Sequence, residues 1–311
     1  MTSEPGAAAG PEPRGTIYDL SYQHYDGGRL GRRFAVWSLY VLSLRNAFGL
    51  GRGNLPKALA FGLVILAFIP AVVQIILAAV APAGDFEIVE PHDYYGFIQI
   101  IIILFTAALA SDLVGNDRRF GTLSLYFSRP IQRSDYGLAK LAALSTGLLA
   151  VTVLPQTVMF LGNWLGAADA LDWAGDNAVD FAPIVGSGLM ICVTFAALGL
   201  LTATYAERRS LAIVGVLAVF LIPFIVVQIV ISVSDADATR YAVLFSPAHV
   251  MRAFTLVLFN RIPPVRLDSR DGDTDDAIAF VDLPDAIFLL AGFVYGIGAA
   301  ALALHRFRSS A

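Results

Sequence analysis

Two groups of polar residues in this mostly apolar sequence have a composition that could bind a ligand. The first is an acidic run from Asp271 to Asp282, whose carboxylates occupy positions 1, 3, 5 and 12 of the calcium-binding loop spacing. The sixth position is Asp276, where such loops turn on a glycine, and the twelfth is an aspartate where they use a bidentate glutamate. These departures favour a solvated acidic loop, and a cation site is the alternative.

The second group consists of glutamines within long apolar runs. A glutamine amide at such a position can bond to a neighbouring helix or contact a transported molecule, and interhelical bonding is the favoured interpretation. The candidate cavity-lining residues are Gln74, Gln99, Gln156 and Gln228. No ionisable side chain lies near the middle of these runs, although transporters driven by protons or sodium usually need one there.

Known catalytic motifs are absent from the sequence. The chain has no HExxH zinc motif, no GxSxG nucleophile turn and no nucleotide-binding loop ending in Gly-Lys-Ser/Thr. The four histidines are scattered over different segments, and the single cysteine, Cys192, lies in an apolar run. We therefore expect no catalytic residue, no disulfide, no metal site and no cofactor bound by this chain.

The elements that position these residues are expected to be membrane helices. Only 15% of the 311 residues are charged and 57% are hydrophobic, so a water-soluble fold would need an improbably large core. Six apolar runs approach the ~20 helical residues that cross a bilayer. We predict an all-α integral membrane protein with six spans at about 58–80, 95–113, 141–161, 181–205, 211–233 and 285–304.

Two shorter apolar segments complete the predicted fold. Residues 31–57 include an arginine-flanked, aromatic-rich stretch that is typical of an interfacial helix, and residues 1–30 before it are expected to form a disordered tail. In the outer loop 234–284, Ser246 followed by a proline predicts the start of a short outer helix before the sixth span. The rest of the chain, residues 58–311, is then one transmembrane domain.

The charges of the predicted loops alternate along the chain. Lysine and arginine are concentrated before the first span, between the second and third, between the fourth and fifth, and after the sixth. The connections 81–94 and 162–180 contain acids and no lysine or arginine. Because basic loops are retained in the cytoplasm, we expect both termini there, in the inner membrane of a prokaryotic cell. The net charge of −4 gives no indication of a nucleic-acid partner.

The predicted cytoplasmic connection at residues 112–141 is too long for a tight turn. It mixes five basic residues with apolar ones, a composition that suits either a protein partner or an anionic lipid surface. Asp112 and Lys140 lie at its two ends, where each charge is costly unless it is paired or reaches the interface. We therefore predict an ion pair between them.

This connection resembles the signature of ABC-2 type ABC transporter permeases. The run Asp117-Arg-Arg-Phe-Gly-Thr-Leu, then Pro130-Ile-Gln-Arg, then Lys140, is similar to that family's pattern of an acid-x3-GTL, a P-x-[SQ]-R and a lysine. The family usually has glutamate at the first of these positions and serine where Gln132 stands. The resemblance implies a coupling helix that sits on the ATPase subunit. The residues assigned to coupling are Asp117, Arg118, Arg119, Phe120, Gly121, Thr122, Leu123, Leu125, Phe127, Pro130 and Arg133.

The resemblance also implies a function. The chain would be the permease subunit of an ATP-binding-cassette exporter, working with a second permease subunit, identical or different, and with cytoplasmic ATPase subunits that hold the ATP and magnesium. Membrane lipid is the third expected partner. A non-transporting membrane scaffold or regulatory protein is an alternative, and so is a secondary transporter, although the absence of midplane charge weakens the latter.

Overall fold

Helices account for most of the chain in the computed structural model. The residues that the structure describes are 30–51, 53–80, 89–119, 126, 128, 131–167, 169–206, 208–233, 237–261, 264–266, 278–280 and 283–309. The α-helices among them are α1 (Gly31–Ala47), α2 (Asn54–Val80), α3 (Tyr94–Phe97), α4 (Gln99–Arg119), α5 (Arg133–Leu149), α6 (Val153–Gly166), α7 (Ala170–Asn177), α8 (Phe181–Tyr205), α9 (Arg209–Val233), α10 (Pro247–Leu258), α11 (Asp285–Phe293) and α12 (Ala299–Ser309).

Short elements of other kinds join these helices. Two 3-10 turns, Ala178–Asp180 and Asp237–Phe245, precede α8 and α10, and a π-helical turn at Val294–Gly298 links α11 to α12. One two-stranded antiparallel sheet lies in the connection before α11. Its strands are β1 (Pro264–Arg266) and β2 (Ile278–Phe280), with Val265 opposite Ala279.

Among the described residues, five helical segments are long and apolar enough to cross a membrane, judged by length and composition. They are Asn54–Val80, Arg133–Gly166, Ala178–Tyr205, Arg209–Ile231 and Asp285–Arg308. A shorter apolar stretch, the Gln99–Gly115 part of α4, occupies the position of the second predicted span. The chain therefore has the helical, multi-span character that its hydropathy predicts.

The third predicted span differs most from the helix that the structure contains. α5 begins at Arg133, eight residues before the apolar run, because a capping box closes its first turn. The side chain of Gln132 accepts from the backbone N–H of Asp135, while the Asp135 carboxylate accepts from the Gln132 N–H at 3.0 Å. This reciprocal cap satisfies two helix-end donors and allows a polar first turn to be helical.

The same span is interrupted near its middle. Residues 150–152 form a turn between α5 and α6, and Pro155 follows in the first turn of α6, where a missing N–H is tolerated. The hydroxyl of Thr152 donates to the Leu148 carbonyl at 2.9 Å and lies 3.1 Å from the Cys192 sulfur on α8. The segment therefore consists of two helices, and their junction contacts the centre of the protein.

The core is built around α8. Of its most apolar window 61% is buried, compared with 17% for α2 and for α9, so α8 is central and the other two are peripheral. Phe195 of α8 stacks on Phe220 of α9 with ring centroids 4.3 Å apart. At Gly188 an added Cβ would collide with the Tyr95 hydroxyl and the Val153 side chain, so the absence of a side chain allows close packing there.

The short helix expected before the sixth span is present as α10. Ser246 caps it, since its hydroxyl accepts from the His249 backbone N–H at 3.4 Å, and a proline occupies the first helical turn. Phe254 packs edge-on against Phe293 of α11 at 5.8 Å between ring centroids. Most of α10 is buried, so it packs within the protein rather than on its surface.

Candidate functional site

A buried ion pair joins α4 to α5. The Lys140 ammonium lies 2.7 Å from the Asp117 carboxylate, and the Tyr136 hydroxyl donates to the same carboxylate oxygen at 2.7 Å. Tyr136 and Lys140 are four residues apart on α5, and this spacing places them on one helix face. The lysine side chain is only 3% exposed and the aspartate 14%, so both charges have largely left water.

This pair fixes the relative position of the two helix ends. A buried charge that loses its partner leaves the other uncompensated, so the free energy of unfolding depends strongly on keeping the two together. Asp117 lies in the last turn of α4 and Lys140 two turns into α5, on either side of residues 120–132. The pair therefore holds both ends of the connection that the sequence assigns to coupling.

A second ionic contact ties α1 to the start of α5. The Arg32 guanidinium makes a two-pronged contact with Asp135, with Nε to Oδ2 and Nη2 to Oδ1 both at 2.8 Å. Its Nη2 also donates to the Gln132 side chain at 2.9 Å. The hydrogen bonds that the guanidinium donates to the Asp135 carboxylate raise the pKa of Arg32 above its ordinary value. The guanidinium therefore reinforces the capping box of α5 from outside the helix.

Aromatic packing completes this region. Tyr136 packs edge-on against Phe307 of α12 at 5.6 Å and lies 5.9 Å from the Tyr126 ring, measured between centroids. Leu39 of α1 is buried in the same cluster. At Gly137 an added Cβ would lie 2.9 Å from the Phe307 ring, so the glycine allows α12 to approach α5 closely. Helices α1, α4, α5 and α12 therefore meet beside residues 120–132.

The ion pair predicted between Asp112 and Lys140 is replaced by two different pairs. Asp112 lies 2.9 Å from Nε of Arg209, at the start of α9, and Lys140 pairs with Asp117. The reason is the length of α4, which continues past the apolar run and carries Asp117 toward α5. Arg209 is 48% exposed and Asp112 only 8%, so in the second pair the guanidinium reaches water while the carboxylate is buried.

The glutamines have different environments. Gln74 and Gln156 are buried and bind backbone, since Gln74 accepts from the Val89 N–H at 3.4 Å and Gln156 donates to the Pro91 carbonyl. Both therefore hold the segment that leads into α3. Gln99 is half-buried on α4, and Gln228 is exposed on α9. The backbone contacts of Gln74 and Gln156 fit a structural role, as is usual for a buried amide.

Several residues assigned to coupling lie outside the described part of the chain. Of the assigned set, the structure describes the side chains of Asp117 and Arg133. Arg133 is exposed, and its Nη1 donates to the Arg308 carbonyl at 3.3 Å, which links α5 to α12. The residues whose side chains are not described are Arg118, Arg119, Phe120, Gly121, Thr122, Leu123, Leu125, Phe127 and Pro130. The acidic run 271–276 is also outside.

Three residues of this region do not emerge from the sequence reasoning. Arg32 is among the bases of the N-terminal segment without a predicted partner, and Asp135 and Tyr136 fall in a stretch expected to precede the helix. A signal for Asp135 exists in the spacing Gln132-x-x-Asp135, because a polar residue three before an acid is the pattern of a capping box. An earlier helix start also places Tyr136 one turn before Lys140.

Comparison with known proteins agrees with this architecture. A family model described as ABC-2 family transporter protein matches residues 72–307, which is most of the 311-residue chain. No curated protein matches the chain. The matched region includes three of the five long apolar segments whole, part of the first and all but the final residue of the last, and both sides of the connection between α4 and α5. The chain is an integral membrane protein that belongs to the ABC-2 family of transporter proteins.

Proposed function

We propose that this chain is the permease subunit of an ATP-binding-cassette exporter and that residues 117–133 couple it to a separate ATPase subunit. The observation that carries the proposal is the pair of ionic contacts that brace this connection. Asp117 with Lys140 holds α4 to α5, and Arg32 with Asp135 holds α1 to the same helix. A force applied to the connection is therefore transmitted to several helices at once.

The break at residues 150–152 divides the third span into two parts with different attachments. α5 carries both ionic contacts, whereas α6 is held by the bond from Gln156 to the Pro91 carbonyl and by close packing on α2. At Gly162 of α6 an added Cβ would lie 2.5 Å from Ile75 of α2. In this proposal α5 moves with the ATPase, and the junction near Thr152 is the pivot.

We further infer six spans, of which α4 has the shortest apolar stretch. α4 has 21 residues, which at 1.5 Å per residue cover roughly 30 Å, the thickness of a hydrocarbon core. Five spans would put the two termini on opposite sides, and the basic and acidic loops would no longer separate. α1, with Trp37 61% and Phe34 49% exposed beside Arg33, then suits the cytoplasmic interface.

The partners follow from the family and from exposure. An ATP-binding-cassette ATPase is the partner that an ABC-2 permease implies, and it would supply ATP and magnesium chemistry. The peripheral helices α2 and α9 expose many large apolar side chains, including Ile65, Ile76 and Ile229. Such faces suit lipid or a second permease subunit, because lipid tails offer no penalty to apolar surface.

Topology is tested by accessibility of single cysteines in a Cys192→Ser background. Cysteines at Asp85, Ala168 and Asp273 should react with an impermeant thiol reagent added to intact cells. Cysteines at Gly15 and Arg208 should react only after the membrane is opened. Labelling of either cytoplasmic position in intact cells would contradict the six-span arrangement.

A further inference from the structure

A basic pocket lies where the beginning of α5 meets the end of α12. Its volume is about 440 Å³, and its lining residues are Ile131, Gln132, Arg133, Ser134 and Arg308. We propose that this pocket binds the phosphate group of an anionic ligand, and that the ligand is the headgroup of an inner-leaflet lipid. The placement on the inner leaflet rests on the proposed function, whereas the pocket and its charge do not.

The charge of the pocket is positive. Among the residues that the structure describes, five line the pocket; two of them are arginines and none is an acid. The nearest acid in sequence, Asp135, accepts hydrogen bonds from the Arg32 guanidinium and from the Gln132 backbone N–H. Its negative charge is therefore already compensated. Guanidinium groups match the geometry of phosphate oxygens and can bind two of them at once.

The backbone beside the pocket also favours an anionic ligand. Arg133 and Ser134 are the first two residues of α5, and the N–H groups at a helix start have no partner within the helix. The positive end of the helix dipole adds to the attraction for an anion. The Arg133 side chain also reaches the Arg308 carbonyl at 3.3 Å, and this contact holds the two walls of the pocket together.

The pocket lies at a membrane boundary. Arg133 is the first residue of the candidate span Arg133–Gly166, and Arg308 is the last residue of the candidate span Asp285–Arg308. Two residues before Arg308, the Arg306 guanidinium lies over the Tyr205 ring at the end of α8, 4.7 Å from the ring centroid. Basic pockets between spans at this depth bind anionic lipid headgroups, so the position favours a lipid over a soluble phosphate.

Bound lipid would then sit next to the coupling region. Gln132 lines the pocket and also accepts from Arg32 at 2.9 Å. A headgroup in the pocket therefore contacts the same residue that caps α5 and binds α1. In this arrangement the lipid stabilises the start of α5, and its loss loosens the attachment of α1 to that helix.

The test measures lipid retained by the full-length chain. The protein is purified from nanodiscs of phosphatidylcholine that contain a minor fraction of phosphatidylglycerol, and bound lipid is counted by native mass spectrometry. In the double variant Arg133→Gln/Arg308→Gln we expect affinity for phosphatidylglycerol to fall about 30-fold, since each basic residue near an anionic surface contributes about fivefold. Phosphatidylcholine retention should not change.

The matched control is Arg45→Gln/Arg208→Gln, which removes two exposed charges from the predicted cytoplasmic side outside the pocket. Equal loss of phosphatidylglycerol in both double variants would overturn the proposal, because binding would then follow net charge alone. A third arm adds millimolar inorganic phosphate to pure phosphatidylcholine nanodiscs. Thermal stabilisation by phosphate that the pocket variant loses would keep the site and assign it to a soluble phosphate. The assay contains no ATPase, so its failure leaves the proposed coupling untouched.

Discussion

The substitution Lys140→Met should strongly destabilise the chain. The lysine is 3% exposed and pairs with Asp117 at 2.7 Å, so its loss leaves a largely buried carboxylate without the ammonium charge, although the Tyr136 hydroxyl still donates to it. Breaking a buried pair from one side reduces the free energy of unfolding by about 3–5 kcal/mol. The measurement is the unfolding temperature of the purified chain in detergent, followed by fluorescence.

Arg252→Met is the matched control for this prediction. It also removes a cation from a helix and leaves an aspartate, Asp93, behind. Because Arg252 is 42% exposed and Asp93 is 37% exposed, water screens that pair, and we expect a loss of about 0–1 kcal/mol. The double variant Asp117→Asn/Lys140→Met should recover part of the stability, since no charge is then left alone. Equal destabilisation by the two lysine and arginine variants would show that the Lys140 pair has no special weight.

The combined substitution of Leu123, Leu125 and Phe127 by alanine should abolish ATP-driven transport while the membrane domain stays folded. In the proposed function these side chains are anchors in a groove of the ATPase, and each buried anchor contributes roughly 1–3 kcal/mol to binding. The expected loss of affinity is therefore many-fold. Since the ionic contacts at Asp117 and Asp135 are untouched, the unfolding temperature should change little.

The measurement is ATPase copurified with each variant at equal expression, together with transport-coupled ATP hydrolysis. The control is Arg118→Gln/Arg119→Gln, which removes charge from the same segment. If those arginines bind lipid headgroups, the control reduces membrane retention more than ATPase binding. Should the triple alanine variant keep both ATPase binding and transport, residues 120–133 would not be the coupling element.

The helices were largely predictable because lipid imposes a strict requirement on sequence. A span must be apolar over its length, so the runs at 181–205 and 211–233 coincide with helices that begin within two residues of them. The start of α5 was not predictable from hydropathy, because its first turn is polar and depends on the Gln132 and Asp135 cap. The break near Thr152 was hidden for the opposite reason, since apolar residues continue through it.

The candidate site was likewise predictable only in part. The sequence locates the charged residues near the ends of two spans, but partner choice depends on helix length and rotation. α4 continues to Arg119, so Asp117 rather than Asp112 faces Lys140. The family resemblance, carried by the run from Asp117 to Lys140, is confirmed by the match over residues 72–307. Contact between Arg32 and Asp135, 103 residues apart, needs the tertiary structure.

If this chain is one subunit of a machine powered by a separate ATPase, the complex isolated from membranes must contain both subunits. The tagged full-length chain is purified from its own membranes in a mild detergent, and the bound subunits are identified and counted. We expect an ATP-binding-cassette ATPase in equal number with the permease subunit, and no ATP hydrolysis by the chain once that ATPase is removed. A folded chain recovered without any ATPase, which moves its cargo in liposomes on a proton or sodium gradient alone, would contradict it.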